Sequence, residues 1–412
     1  MKPAKITAVV FVLVIVGFMM SAFYMLASTK LIKTPHTPKV NYANINWELS
    51  YPFKEGEKKT YESAVSWYRY LKERLKEYSS TKLLGYYRFI EAARKYKDTV
   101  GWNMVSHNSI ISLKDGYLTG CIQSRDVRED AKSVKEFADF CAEKGIDFMY
   151  INFPNKICAS EDKDVSGVLD FVNQNADRFL ALLKESGVKY YDFRKILHED
   201  GMNHHEAFFV TDGHWKPETG LWASGHILKI LRDDFGWPVD PKVIAPENFN
   251  YVIYHNSFLG GEGRYFTFSS AKPEDFTMIY PKFKTHLKFE IQNLRINSEG
   301  DFSIIYNMNA LETKGYYETN NLYAAYFYGN QPVSRLENKL VKNGKRLLVI
   351  YNSFSFCVIP FISLEIQNVD AIYANSFTGS VRTFIETVKP DAVIIQYHSA
   401  VPGSEGNFYD FK

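Results

Sequence analysis

Asp212-Gly213-His214 sets a carboxylate two residues ahead of an imidazole. At that spacing the carboxylate can turn toward the ring and hold one tautomer. It can also stabilise the cation formed when the ring takes a proton, which is the acid–base half of a nucleophilic acyl-transfer site. The pair lies in Phe208-Phe209-Val210-Thr211-Asp212-Gly213-His214-Trp215-Lys216-Pro217, in a loop after apolar residues and just before a predicted helix. The plainer reading is a surface turn in which Asp212 caps that helix. A matching nucleophile is offered far along the chain, where the apolar run Leu347-Leu348-Val349-Ile350-Tyr351 leads through Asn352 into Ser353. A Ser at a strand-to-helix turn exposes its hydroxyl at the carboxyl edge of a sheet. Backbone N–H groups opening the helix can there stabilise an oxyanion, and ligands of open α/β sheets bind at that edge. The plainer reading is a helix cap by Ser353 or Ser355. His204, His205, Asp212 and His214 are close in sequence, but their spacing fits no established zinc ligand set and neighbouring histidines point apart. No metal and no cofactor is expected.

The elements that must position these residues alternate. Residues 109–113 and 115–118 read as a hairpin, 129–144 as an amphipathic helix, 146–153 as a strand stopping at Pro154, and 165–186 as a helix ended by Gly187. Residues 188–193 follow as a strand and 217–235 as a helix opened by Pro217. After 346 come strand 347–351, helix 361–366, strand 369–373, helix 378–388 and strand 392–397. Such alternation argues for a parallel sheet with helices on its faces. Residues 241–340 break the pattern and read as a β-rich insertion, with strand-like runs at 277–280, 287–291 and 303–306. Two helices are expected over 61–96, so the α/β domain is assigned to 61–240 and 341–412.

Residues 6–29 carry no charged side chain and are long enough to cross a bilayer as helix. Residues 1–33 are therefore read as a short cytoplasmic tail with an uncleaved transmembrane signal-anchor, and 34–60 as a linker leaving the membrane. Lys2 and Lys5 precede the run and Lys30 and Lys33 follow it, so charge does not orient it. Lys plus Arg is 49 and Asp plus Glu is 47, a balance of +2 that gives no support to nucleic-acid binding. Four cysteines (Cys121, Cys141, Cys158, Cys357) are too few for a disulfide scaffold and match no zinc pattern. The 31 Phe and 28 Tyr are read mostly as core, with Trp215, beside the candidate base, as the ring to test for sugar binding.

Taken together, Thr211-Asp212-Gly213-His214-Trp215, Asn352-Ser353 and Ile359-Pro360-Phe361 resemble the SGNH hydrolase superfamily. Within it they resemble the membrane-anchored DHHW group related to the alginate O-acetylation proteins. Asp115-Gly116-Tyr117-Leu118, Pro154-Asn155-Lys156, Tyr191-Asp192 and Phe258-Leu259-Gly260 are smaller echoes. The Asp–His motif precedes the Ser, an order permuted relative to ordinary SGNH hydrolases. Two residues depart from the pattern: Gly213 stands where the group often has His, and Asn352 where Asp usually precedes the nucleophile, which preserves the shape and one acceptor.

The resemblance implies an SGNH-like α/β fold, Ser353 as nucleophile, His214 as general base and then acid, and Asp212 as its orienter. It makes the Ser353 backbone N–H one oxyanion donor, and Asn155, after a strand end, the candidate second. Asn155 as a plain turn residue after Pro154 is the alternative. The implied protein is a single-pass cell-membrane acyltransferase with its globular domain outside the cytoplasm. It would pass an acyl group, most readily acetyl, from a multi-pass membrane acyltransferase partner to a polysaccharide acceptor. A carbohydrate esterase, a non-catalytic glycan-binding or scaffold protein of an envelope acylation complex, and D-alanyl transfer to teichoic acid are the rival readings.

Overall fold

The computed structural model describes Ala92, Tyr96 and residues 110–113, 116–158, 170–266, 271–312 and 321–412. The expected signal-anchor, the linker, and all of the helical stretch 61–96 except Ala92 and Tyr96 lie outside these residues. Among the described residues no helix is long and apolar enough to cross a membrane.

Two short strands, β1 (Ile110–Ser112) and β2 (Leu118–Gly120), pair antiparallel as the expected hairpin. Helix α1 (Arg128–Glu143) leads to β3 (Asp147–Phe153), and α2 (Val172–Glu185) to β4 (Tyr190–Asp192). The strand expected to reach Phe193 ends at Asp192, because that carboxylate accepts the Arg194 N–H and caps α3 (Phe193–Glu199). Helix α4 (Pro217–Phe235) begins on its proline. It ends on Gly236, whose positive φ of 67° lets its N–H reach back to Arg232 O.

The stretch 241–340 supplies β5 (Phe249–Phe258), the one-turn-and-a-half α5 (Gly261–Phe266), β6 (Glu274–Pro281), β7 (Leu287–Ile291), β8 (Ile296–Gly300) and β9 (Val333–Asn338). The run 303–306, expected as a strand, belongs instead to a 3-10 turn, Phe302–Ile305. The Asp301 side chain accepts the Ser303 N–H and starts a helical turn in place of a ladder. Finally come β10 (Arg346–Tyr351), a 3-10 turn Ser353–Cys357, the short α6 (Ile359–Ile362), β11 (Asn368–Tyr373), α7 (Val381–Val388) and β12 (Ala392–His398). The expected helix 361–366 is thus shorter and starts earlier, with Pro360 in the first turn of α6.

The central sheet has eight strands in the order β4-β3-β12-β10-β11-β9-β7-β8. From β4 to β11 every neighbour is parallel. From β11 outward β9, β7 and β8 pair antiparallel. The sheet is therefore mixed, not parallel throughout as the alternation predicts. The strands of the β-rich stretch join the same sheet, apart from β5 and β6, which pair as a ribbon of their own. The centre of the sheet is apolar on both faces, as parallel strands covered on both sides must be. Leu347, Val349 and Tyr351 of β10 face one core, built with α3, α4, α6 and the β5–β6 ribbon. Leu348 and Ile350 face the other, built with α1, α2 and α7.

The chain leaves β3 toward β4 and leaves β10 toward β11, in opposite directions, with β12 between them. Diverging connections of this kind open a crevice at the carboxyl ends of the strands. Ser353 follows β10 and His398 closes β12 at that edge.

Candidate active site

The Asp–His loop is a closed hairpin-like turn. Phe208 bridges Trp215, Phe209 N–H donates to His214 O at 3.2 Å, and Lys216 N–H donates to Ala207 O at 2.9 Å. Its apolar flanks Phe208, Phe209 and Trp215 are buried, which leaves Thr211–Gly213 at the tip. The tip is held from three sides. Val210 and Thr211 N–H donate to the Glu274 carboxylate at the start of β6, both at 2.7 Å. Lys156 donates from Nζ to the backbone oxygens of Leu118 and Asp212, both at 2.5 Å. Gly260 N–H donates to Thr211 Oγ1 at 2.9 Å, and Gly261 N–H to Asp212 Oδ2 at 3.0 Å. Gly260 has to be glycine here, since a Cβ would fall 2.2 Å from Asp212 Cβ.

Asp212 Oδ1 accepts the His214 backbone N–H at 3.0 Å and lies 2.6 Å from His214 Nδ1. An ionised carboxylate can only accept, so Nδ1 carries the proton and the Nε2 lone pair is turned outward. Nε2 lies 2.7 Å from Ser353 Oγ. The structure therefore brings Asp212, His214 and Ser353 into one hydrogen-bonded line, although 139 residues separate the last two. Ser353 is half-buried at the first position of the 3-10 turn after β10. The imidazole is held flat by Tyr323, whose ring stacks on it at 4.2 Å and 19°.

Trp215 corrects an expectation. It is fully buried, packs 4.5 Å from Phe153, and donates from Nε1 to Phe354 O at 2.9 Å. It has no face to offer a sugar. It ties the residue after His214 to the residue after Ser353, which fixes the two halves of the site against each other. Asn155 is held by a local turn: its Oδ1 accepts Ile157 N–H at 3.0 Å, and its backbone oxygen accepts a bond from His204 Nε2 at 2.8 Å. Both contacts fit the turn reading. The four residues His204, His205, Asp212 and His214 do not converge on one point. His204 turns to Asn155, and His205 stacks on Tyr117.

Asn352 uses its donor rather than an acceptor: Nδ2 lies 2.6 Å from His398 Nδ1. That bond requires an unprotonated Nδ1. Burial, and then the nearby His214 and Arg125, push His398 down to about 3, so it stays neutral. An aspartate at 352 could only accept and would require the other tautomer, with the proton on Nδ1. His398 in turn stacks on Phe354 at 4.5 Å.

The electrostatics centre on Asp212. Burial alone would raise its carboxyl. The adjacent imidazole, its hydrogen bond, and the Gly261 and His214 N–H groups outweigh burial and hold the carboxyl below the usual range. Glu262 of α5 lies close, since a Cβ on Gly213 would come 3.0 Å from its Oε1. Burial and repulsion by Asp212 push Glu262 up to about 7, against the pull of Lys156. Burial lowers Lys156 itself, while Glu262, Asp212 and Glu274 hold its charge. Sequence reading missed Glu262, Glu274 and His398. It noticed Lys156 only as part of a motif, since nothing local marks a lysine that will be fully buried.

Glu262 makes a testable pH signature. A carboxyl whose folded value lies above its unfolded one gives up stability as pH rises between the two, here from about 4.5 toward about 7. Glu262→Gln removes that loss. The melting temperature of the variant minus that of the wild type is expected to grow by several degrees between about pH 5 and about pH 8. Asp212 and His398 lose stability in the opposite direction, as pH falls; Asp212 does so below this window, and His398 is common to both proteins. A flat difference would remove Glu262 from the charge cluster.

An apolar parallel centre, a Ser after β10 and an Asp–His loop brought beside it make an α/β domain with a candidate serine acyl-transfer site at the carboxyl edge of its sheet. The family model described as "SGNH hydrolase-like domain, acetyltransferase AlgX" matches residues 117–237, so the resemblance carried by the motifs extends along that stretch. In fold the chain is similar to Bacillus cereus PatB1, with a TM-score of 0.60 and 17% identity over 74% of this chain and 99% of that one. The structure of PatB1 with a sulfonyl adduct gives a TM-score of 0.62 and 17% identity over 75% and 100%. A DHHW family protein from Eubacterium siraeum gives 0.58 and 14% over 74% and 95%. No curated protein matches the sequence.

Proposed function

We propose that the protein is a membrane-anchored, extracytoplasmic serine O-acyltransferase that acetylates a cell-surface polysaccharide through an acyl-Ser353 intermediate. The observation that carries this reading is the continuous line from Asp212 through His214 to Ser353, at 2.6 and 2.7 Å, opening at the carboxyl edge of the sheet. In that geometry His214 Nε2 takes the Ser353 proton while Oγ attacks the donor's acyl carbonyl. The resulting imidazolium gives the proton to the leaving group as the C–O bond breaks. A glycan hydroxyl then gives its proton to Nε2, attacks the acyl-serine, and Ser353 leaves reprotonated. The Ser353 N–H at the mouth of the 3-10 turn is one oxyanion donor, and Asn155 is the candidate second. Acetyl as the group transferred is supported by the description of the matched family. The polysaccharide acceptor and a multi-pass membrane acyltransferase as donor rest on the sequence resemblance, and the anchor on the apolar run 6–29.

The test is to give the full chain an activated acetyl ester and follow the peptide containing Ser353 by mass. Acetyl-Ser353 that is discharged onto an added oligosaccharide is the expected result. Discharge only to water would make the protein an esterase using the same three residues. No acyl-enzyme from a folded protein would overturn the reading.

A further inference from the structure

The loop after β3 carries a second cluster that the acyl-transfer site does not use. Cys158 at its end, His198 on the last turn of α3 and His204 in the following loop offer one donor atom each. The three donor atoms lie within 4.8 Å of one another. We propose that Cys158, His198 and His204 bind one divalent transition metal of zinc's kind, which clamps the 154–158 loop to α3 and to the segment leading to the Asp–His loop.

The chemistry of the donors selects the ion. One thiolate and two imidazoles suit zinc, cobalt or nickel and not magnesium or calcium. The spacing fits as well. Zinc holds sulfur at about 2.3 Å and imidazole nitrogen at about 2.0–2.1 Å, so a tetrahedral ion keeps the two about 3.6 Å apart. Cys158 Sγ and His198 Nε2 are 3.7 Å apart. The rings of His198 and His204 lie stacked, 5.4 Å between centroids and 18° between planes, and each has a nitrogen within 4.8 Å of the thiol.

The surroundings orient the ligands. His204 Nε2 lies 2.8 Å from the Asn155 backbone oxygen and can only donate to it, so the lone pair sits on Nδ1. A carbonyl on the far nitrogen is the usual partner of a metal-bound imidazole. The loop bearing Cys158 is fixed in turn by Asn173 Nδ2, which donates to Ile157 O at 2.9 Å, and by the Asn155–Ile157 turn. Cys158 and His204 are buried and His198 is exposed, so an ion would reach the cluster from the His198 side. Binding displaces one proton, from the Cys158 thiol, and leaves both imidazoles neutral. Lys156 lies two residues before Cys158, so the clamp also steadies the ammonium that holds Asp212.

The test uses the full chain, stripped by chelator and titrated with zinc and then cobalt. One equivalent of zinc is expected, with a raised melting temperature and about one proton released. Cobalt should give a thiolate charge-transfer band and tetrahedral visible absorption. Cys158→Ser should lose the charge-transfer band, and His198→Ala, an exposed position that folding tolerates, should lose most of the affinity and of the melting shift. Absence of saturable uptake, or uptake and stabilisation unchanged in both variants, overturns the proposal and leaves a hydrogen-bonded thiol–imidazole cluster. Neither readout depends on acyl transfer.

Discussion

Ser353→Ala is expected to abolish the acyl-enzyme and to lower acyl transfer by at least about 10⁴-fold, because no other group on the line can form the covalent intermediate. The substitution removes one oxygen from a half-buried position and leaves Asp212 and His214 paired, so the melting temperature should move by no more than a few degrees. The measurement is turnover of an activated acetyl ester together with labelling by a serine-reactive sulfonyl probe. Loss of both in a folded variant is the expected outcome, and residual turnover near that of wild type would remove Ser353 from the mechanism. His214→Ala is a weaker test. It leaves the buried Asp212 carboxylate without its main partner, so lost activity and lost stability would be confounded.

Lys156→Met is expected to be the most destabilising single change near the site. The ammonium is fully buried and donates to the backbone oxygens of Leu118 and Asp212, with Glu262, Asp212 and Glu274 as the nearby anions that hold its charge. Met fills a similar volume, so the cost is electrostatic. Removing one partner from a buried charge set costs about 3–5 kcal/mol, or roughly 10 °C in melting temperature for a domain of this size. The sign with pH is fixed. The orphaned groups are carboxylates, so protonating them relieves the loss, and the gap to wild type should narrow as pH falls toward about 5. Acyl transfer should fall as well, since the Asp212 carbonyl loses its anchor. A variant melting within about 1 °C of wild type at neutral pH would show that the lysine is not the counter-charge of this cluster.

The two predictions differ in how far the sequence alone reaches. Ser353, His214 and Asp212 could be read because each carries a local signal: an apolar strand running into a Ser, and an Asp two residues before a His ahead of a Pro-initiated helix. Helix 217–235 and strands 347–351 and 392–397 follow from the same kind of local pattern. Local spacing had also made the Asp–His turn compatible with a simple helix cap, and only the 2.7 Å approach of Nε2 to Ser353 Oγ separates the two readings.

Side-chain burial is a different matter. Trp215 sits beside the base in sequence, and adjacency made it a reasonable sugar platform. Its ring instead points into the core, since the bridge between Phe208 and Trp215 turns both inward. The sheet shows the same limit. Strand-like runs in 241–340 are visible as alternation, but alternation has no direction. That β9, β7 and β8 extend the central sheet antiparallel depends on partners far away in the chain.

By itself the sequence determined the chemistry on offer and the elements that carry it, because nucleophile, base and orienter are residue types and strands and helices are short-range patterns. The tertiary structure alone decided which charges are buried together. Lys156, Glu262 and Glu274 reach Asp212 from three separate segments, and a buried lysine has the same local sequence as a solvated one. Desolvation and the field of neighbouring charges act through space, and they set the protonation of this site where chain distance carries no information.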